Sequence, residues 1–186
     1  VPRQRTILRE NILDASMELL RTSGFKQFTA RQIAIKMNSS TQPIYKEFKN
    51  MDDLKVGLLD YIKQYLAEEI FMVNTPQSDL TSVCKKYILF AKEEPTLFSA
   101  IFMDRELQAV ELHAFSYEAI KGLLNKELNV WDDASLQELL DILWPVIHGV
   151  AMLVAQGQLV YNEEEISQKV QAIIDMTTKL WNKQVQ

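Results

Sequence analysis

The stretch Thr29-Ala30-Arg31-Gln32-Ile33-Ala34-Ile35-Lys36-Met37-Asn38-Ser39-Ser40-Thr41-Gln42-Pro43-Ile44-Tyr45-Lys46-Glu47-Phe48 decides how this chain is read. Thr29 suits an N-cap, where its side-chain oxygen accepts an otherwise orphaned amide, and Ile33, Ala34 and Met37 behind it share one helical face. Asn38 tolerates positive φ and ends that helix after barely two turns. Ser39 or Ser40 then caps a second short helix, Ser40 to Phe48, in which Pro43 is acceptable because it lies in the first turn. Ile44 and Phe48, one helical turn apart, face inward. Two short helices joined by a tight turn, with the small Ala34 permitting close crossing, predict a helix-turn-helix.

In that motif the second helix enters the DNA major groove, about 12 Å wide. Its outward side here carries Thr41, Gln42, Tyr45 and Lys46. Gln42 can bond bidentately to adenine, and Thr41 or the Pro43 ring can touch a thymine methyl. Lys46, Lys49 and Tyr45 suit phosphate contacts, which give affinity without reading sequence. A short helix of this composition is also compatible with a plain connector. Charge separates the two readings.

Of the 186 residues, the first fifty hold nine Lys and Arg against four Asp and Glu, whereas the remainder holds eleven bases and twenty-one acids. The net charge of -5 therefore hides a cationic end able to approach a polyanion and an anionic body that repels one. The motif falls inside the cationic end.

Outward from residues 29–48, the apolar period predicts helices nearly throughout. Leu8, Ile12, Ala15 and Leu19 stripe a first helix that Gly24 closes, and Phe25 and Phe28 bracket a loop. A helix from about Asn50–Asp53 runs toward Val73, and Asn74-Thr75-Pro76 breaks the chain. Helices follow at about Leu80–Lys92, Pro95–Met103, Glu106–Leu128 and Ser135–Leu159, and from Glu163 onward. Five Gly and five Pro leave little material for hairpin turns. The fold class is all-α, about nine helices in all.

Gly24-Phe25, Phe28-Thr29, Ile33-Ala34, Ser40, Ile44-Tyr45, Phe48 and Leu54 resemble the DNA-binding domain of the TetR family of bacterial transcriptional regulators, over about residues 5–60. The resemblance implies a homodimeric repressor that binds a near-palindromic operator and leaves it when a small molecule occupies the C-terminal domain. It places Arg31, Thr41, Gln42, Pro43 and Lys46 at the DNA, with Tyr45 on a backbone phosphate; Ser40 and Lys49 complete the candidate DNA-binding set. It also divides the chain into a DNA-binding domain (1–50), a connecting helix (51–74) and a sensing and dimerising domain (75–186). Three positions depart from the family pattern. Met51 stands where Lys commonly meets a phosphate, Asn38-Ser39 replaces Gly and an apolar residue in the turn, and Gln42 stands where Gly is frequent.

In the C-terminal part, Leu136, Leu139, Leu143, Ile147, Val150 and Val154 stripe one helix, and Ile166, Val170, Ile173, Thr177 and Leu180 stripe the last. Apolar residues off those stripes (Leu140, Trp144, Ile174, Trp181) require burial of more than one face. One large monomeric core satisfies this; so does a four-helix dimer interface through Leu139, Leu143, Ile147, Val150, Ile166, Val170, Ile173 and Leu180, which the resemblance favours. Trp144-Pro145-Val146-Ile147-His148-Gly149 resembles an element near the penultimate helix of some TetR-type regulators. Pro145 is expected to kink that helix. A cavity there, lined by Phe90, Phe98, Phe102, Met103, Phe115, Trp144, His148 and Met152, would take an apolar or aromatic effector, with His148 as its polar group. The same residues can also simply fill a core.

Other classes fit poorly. The two histidines, His113 and His148, belong to no H-E-x-x-H pattern, and no glycine-rich phosphate loop follows a strand. The single cysteine, Cys84, reads as an ordinary helix residue. Catalysis, a cofactor and a bound metal are not expected. A helical protein-interaction adaptor would explain the helices but not the cationic end. The apolar run Ile142–Ala155 is too short to span a bilayer, and the N-terminal residues are not signal-like, so a cytoplasmic protein without a membrane partner is expected.

Overall fold

The computed structural model describes residues 8–73, 75, 78–107, 109–128 and 132–184, excepting the side chains of 109, 128 and 180–184. Among the described residues the fold is all-α. The elements are α1 (Arg9–Ser23), a 3-10 turn (Gly24–Gln27), α2 (Ala30–Lys36), α3 (Gln42–Glu47), α4 (Met51–Tyr65) continued by a π turn (Leu66–Ile70), α5 (Leu80–Glu93), α6 (Pro95–Phe102), α7 (Ala109–Leu128), α8 (Asp133–Ala155) and α9 (Glu163–Gln184).

Local chemistry sets most boundaries. Gly24 closes α1 at φ 59, a region that costs a side chain dearly. The Thr29 oxygen accepts from Gln32 N–H, Asn50 from Asp53 N–H and Asp79 from Ser82 N–H, each an N-cap. Asn38 ends α2 at φ 51. The turn then uses more chain than the serines predict: Ser39 N–H donates to Ala34 O at 2.9 Å, and α3 starts only at Gln42. Thr41 is its N-cap, without a side-chain bond, in place of Ser39 or Ser40. Of the expected break at Asn74-Thr75-Pro76, Asn74 and Pro76 lie outside the described residues.

The N-terminal core gathers Ile12, Leu20, Ile33, Ile44, Phe48, Leu54 and Leu58, each at most 1% exposed. The C-terminal layer is built on α5, which packs on α8 and α9; α7 also packs on α8, and α6 contacts both α8 and α1. The apolar run Ile142–Ala155 is longer in the structure than it reads alone. It is part of the 23-residue α8, long and apolar enough by length and composition to cross a membrane. The packing of α8 against α5, α6, α7 and α9 accounts for that apolarity without one. The helix runs on through Pro145, which lies on its exposed side.

Candidate nucleic-acid interface and effector site

The helix-turn-helix is held rigidly from beneath. The Arg9 guanidinium lies 4.1 Å from the Phe48 ring centroid and donates to Glu47 O at 3.3 Å, tying α1 to the end of α3. Gly57 of α4 makes room for this clamp: a Cβ there would sit 2.7 Å from Arg9 Nη2 and 3.0 Å from Phe48 Cε1.

Above that base, Arg31, Ser40, Gln42, Tyr45, Lys46 and Lys49 are exposed, and Thr41 and Pro43 half-buried. All eight residues expected at DNA thus keep accessible surface. Tyr45 is 53% exposed although it adjoins the wholly buried Ile44, so it projects outward instead of filling the core. No ion pair among the described residues engages Arg31, Lys46 or Lys49, leaving these cations available to phosphates. Met51, in place of a lysine, is half-buried and packs on the core.

Besides the apolar packing of α6 on α1, the connection to the C-terminal layer carries ion pairs invisible in the sequence. Arg21 of α1 pairs with Glu94, which also accepts from Tyr65 Oη at 3.2 Å. Burial opposes the Arg21 charge, but Glu94 outweighs it and holds the guanidinium above its ordinary pKa. From α4, Lys55 meets Glu106 at 2.6 Å and Lys63 meets Glu111 at 2.7 Å. Tyr61 bonds Asp14, and that bond, with burial, pushes its phenol up to about 12. Partly exposed pairs of this kind contribute about 0–1 kcal/mol each, so they set the relative position of α1, α4 and α7 more than stability.

In the C-terminal layer, Phe98, Phe102, Trp144 and His148 converge as expected, at the heart of an aromatic cluster. Its centre, however, is a residue the sequence did not single out. Tyr87, wholly buried, lies 4.9 Å from the Trp144 ring, 5.5 Å from Phe98 and 5.6 Å from Phe102, and its hydroxyl meets His148 Nδ1 at 2.8 Å. His113, also unassigned, stands 4.8 Å from His148, ring to ring. Phe90 borders the cluster through Phe98, and Phe115 through Phe71. Met152 is half-buried against the core. Met103 does not belong to this group: it follows the end of α6, is 36% exposed, and lines a cleft with Gly24, Phe25 and Thr96.

Burial, with the His113 ring second, lowers the His148 pKa from 6.5 to about 4. The folded chain thus binds that proton less readily than the unfolded one, so stability is intact above pH 6.5 and is lost as the pH falls toward 4. Thermal unfolding followed from pH 7 to pH 5 should show a steeper fall in Tm for the natural chain than for His148→Gln, whose amide oxygen still accepts from Tyr87. Equal slopes would assign the acid sensitivity elsewhere. Cys84 is buried, and burial pushes its thiol up to about 12, which fits an inert helix residue.

The expected dimer face is turned the wrong way. Leu139, Leu143, Ile147, Ile166 and Val170 are each at most 1% exposed within one subunit, so they are core and cannot meet a partner. Val150 and Ile173 are half-buried, and the Leu180 side chain lies outside the described residues. The reason is that α8 is apolar over most of its circumference, and its fuller stripe is claimed by α5 and α7. The other side leaves Ile142 at 42%, Val146 at 43% and Leu153 at 38% exposed, with Met176 of α9 at 65%.

Two family models match the chain. Residues 12–56 match "Bacterial regulatory proteins, tetR family", and residues 80–177 match "Tetracyclin repressor-like, C-terminal domain". The chain belongs to the TetR family. It is accordingly a DNA-binding transcriptional regulator, with its helix-turn-helix in the matched N-terminal segment. Solved TetR-like structures show the same fold. A TetR transcription regulator from Haloarcula marismortui is 22% identical at a TM-score of 0.67, with 90% of this chain and 96% of that one covered. The fatty acid degradation regulator FadR from Bacillus halodurans is 14% identical at 0.68, covering 94% and 96%. SmeT, the repressor of the Stenotrophomonas maltophilia multidrug efflux pump SmeDEF, is 17% identical at 0.58, covering 94% and 90%. No curated protein matches the chain.

Proposed function

We propose that the chain is a homodimeric repressor that reads its operator through α3 and leaves it when a small apolar or aromatic effector enters the C-terminal layer. Residues 1–50 bind DNA, residues 51–74 connect, and residues 75–186 sense and pair. The observation that carries this reading is the exposed set Arg31, Lys46 and Lys49, without an ion pair among the described residues and set beside a buried Ile33–Ile44–Phe48 base in the cationic end of an anionic chain. A repressor also stands among the similar structures, SmeT of an efflux pump.

The ion pairs Lys55–Glu106, Lys63–Glu111 and Arg21–Glu94 supply a physical route between effector and DNA. An effector that favours a different placement of α6 and α7 must move α1 and α4, and with them α3, by its differential affinity for the two arrangements. Pairing uses the outer face of α8 and α9, carrying Ile142, Val146, Leu153 and Met176. Four exposed apolar side chains on two adjacent helices form a patch that water disfavours and a second copy can cover.

Selection of bound sequences from random duplexes, then screening for compounds that release them, tests the whole reading; a chain that retains no duplex at low salt overturns it. Within the selected operator, Lys46→Ala should weaken every sequence similarly and flatten the salt dependence, whereas Gln42→Ala should cost about 1–3 kcal/mol at one base position and relax its identity. If Gln42→Ala leaves relative affinities across operator variants unchanged, Gln42 reads no base.

A further inference from the structure

Tyr87, His113 and His148 come from three helices, α5, α7 and α8, and meet inside an otherwise aromatic wall. Their hydrogen bonds determine which ring nitrogens carry protons. Tyr87 is wholly buried, and among the described residues its hydroxyl has one partner, His148 Nδ1. A buried phenol proton needs an acceptor, so Tyr87 donates and Nδ1 accepts. The proton of a neutral His148 is therefore on Nε2. His113 Nε2 lies 3.3 Å from Phe102 O, a carbonyl that can only accept. The proton of a neutral His113 is therefore on Nε2 as well, leaving Nδ1 as a lone-pair acceptor.

The remaining atoms, His148 Nε2–H and His113 Nδ1, have no described partner. The rings are 4.8 Å apart with planes at 87°, and no hydrogen bond joins them. Both rings keep some accessible surface, unlike Tyr87, Phe98 and Ile147 beside them. The pair thus carries, on neighbouring rings, one donor and one acceptor that no described residue engages.

We propose that His113 and His148 form the polar end of the effector site and select an apolar or aromatic ligand bearing a neutral hydroxyl, which accepts from His148 Nε2–H and donates to His113 Nδ1. This rests on the effector-sensing reading above and names the ligand class it takes. A methyl ether of the same shape lacks the donor and leaves Nδ1 unpaired. A carboxylate lacks the donor too and brings a charge. Among the described residues, the ring and hydrogen-bond contacts of the pair are uncharged: Tyr87 from α5, Phe98 and Phe102 from α6, and Trp144 from α8. The low proton affinity of His148 agrees with a site that stays uncharged.

The full chain at about pH 8, where an imidazole carries one ring proton, can be titrated with 4-propylphenol, 4-propylanisole and 4-propylbenzoate by quenching of indole fluorescence. The phenol should bind about tenfold or more tighter than the anisole and tighter than the benzoate. His148→Phe and His113→Phe should erase the preference while anisole affinity holds within about twofold. Tyr87→Phe releases the constraint on the His148 proton, so it should shrink the preference; it also guards against misfolding of either histidine variant, with circular dichroism as the check. Equal binding of phenol and anisole, tightest binding of the benzoate, no binding of any probe, or a phenol preference that survives both histidine variants overturns the proposal. The two readings fail separately. Phenol-selective binding that does not release duplex refutes effector control and leaves the site standing, whereas release by compounds without hydroxyl preference does the reverse.

Discussion

Ile142→Asp combined with Val146→Asp should leave each subunit folded and prevent pairing. Both side chains are over 40% exposed in the subunit, so two aspartates there stay solvated and cost the isolated fold little. In a paired molecule the same carboxylates would lie close to their symmetry mates in an apolar seam, where burying each unpaired charge costs several kcal/mol. A dimer holding two half-sites then becomes a monomer holding one. Operator affinity should fall about a hundredfold or more, since the second half-site is no longer bound at high effective concentration. Sedimentation gives the mass and a mobility-shift titration the affinity. A variant that remains dimeric places the pairing surface elsewhere. Leu139→Asp is the contrasting control: Leu139 is wholly buried in its own subunit, and a charge there should unfold it.

Phe48→Ala should cost about 3–5 kcal/mol of stability, the range for emptying a buried aromatic site. Phe48 is 1% exposed and closes α3, so the cavity opens directly beneath the recognition helix. The Arg9 guanidinium loses the ring it covers, a further contact worth about 0.5–1 kcal/mol. Denaturant unfolding measures the loss. DNA retention should vanish at temperatures where the natural chain still binds, although Phe48 touches no base. Phe48→Leu, which refills most of the volume, should recover most of both. If Phe48→Ala unfolds at the same denaturant concentration as the natural chain, the N-terminal core is not organised about this ring.

The helix-turn-helix was legible because its signals are local. A threonine cap, an asparagine at positive φ, a proline in a first turn and a glycine that ends α1 act within a few residues of themselves. Hence Thr29, Asn38, Pro43 and Gly24 stand where their own chemistry puts them. The start of α3 moved by two residues because the backbone bond from Ser39 to Ala34, closed by the geometry of the turn, overrode the capping preference of serine. Charge segregation was equally legible, since it needs only a count along the chain.

The registers of the C-terminal helices were not. Periodicity says that α8 has two apolar sides, and it cannot say which side meets α5 and which stays exposed. The stripe through Leu139, Leu143 and Ile147 is fuller than the one through Ile142, Val146 and Leu153, and the subunit's own core took it. The link between Tyr87 and His148 spans 61 residues and depends on how α5 crosses α8. Met103, a neighbour of Phe102 in sequence, is turned out by the end of α6.

Sequence alone therefore determined the helical class, the place of the helix-turn-helix and the segregation of a cationic end from an anionic remainder, because caps, turn preferences and net charge are properties of short stretches. Tertiary packing alone decided which apolar face stays exposed and which polar groups share the interior. Those outcomes depend on competition between distant surfaces for the same burial, and a linear pattern records the competitors without the result.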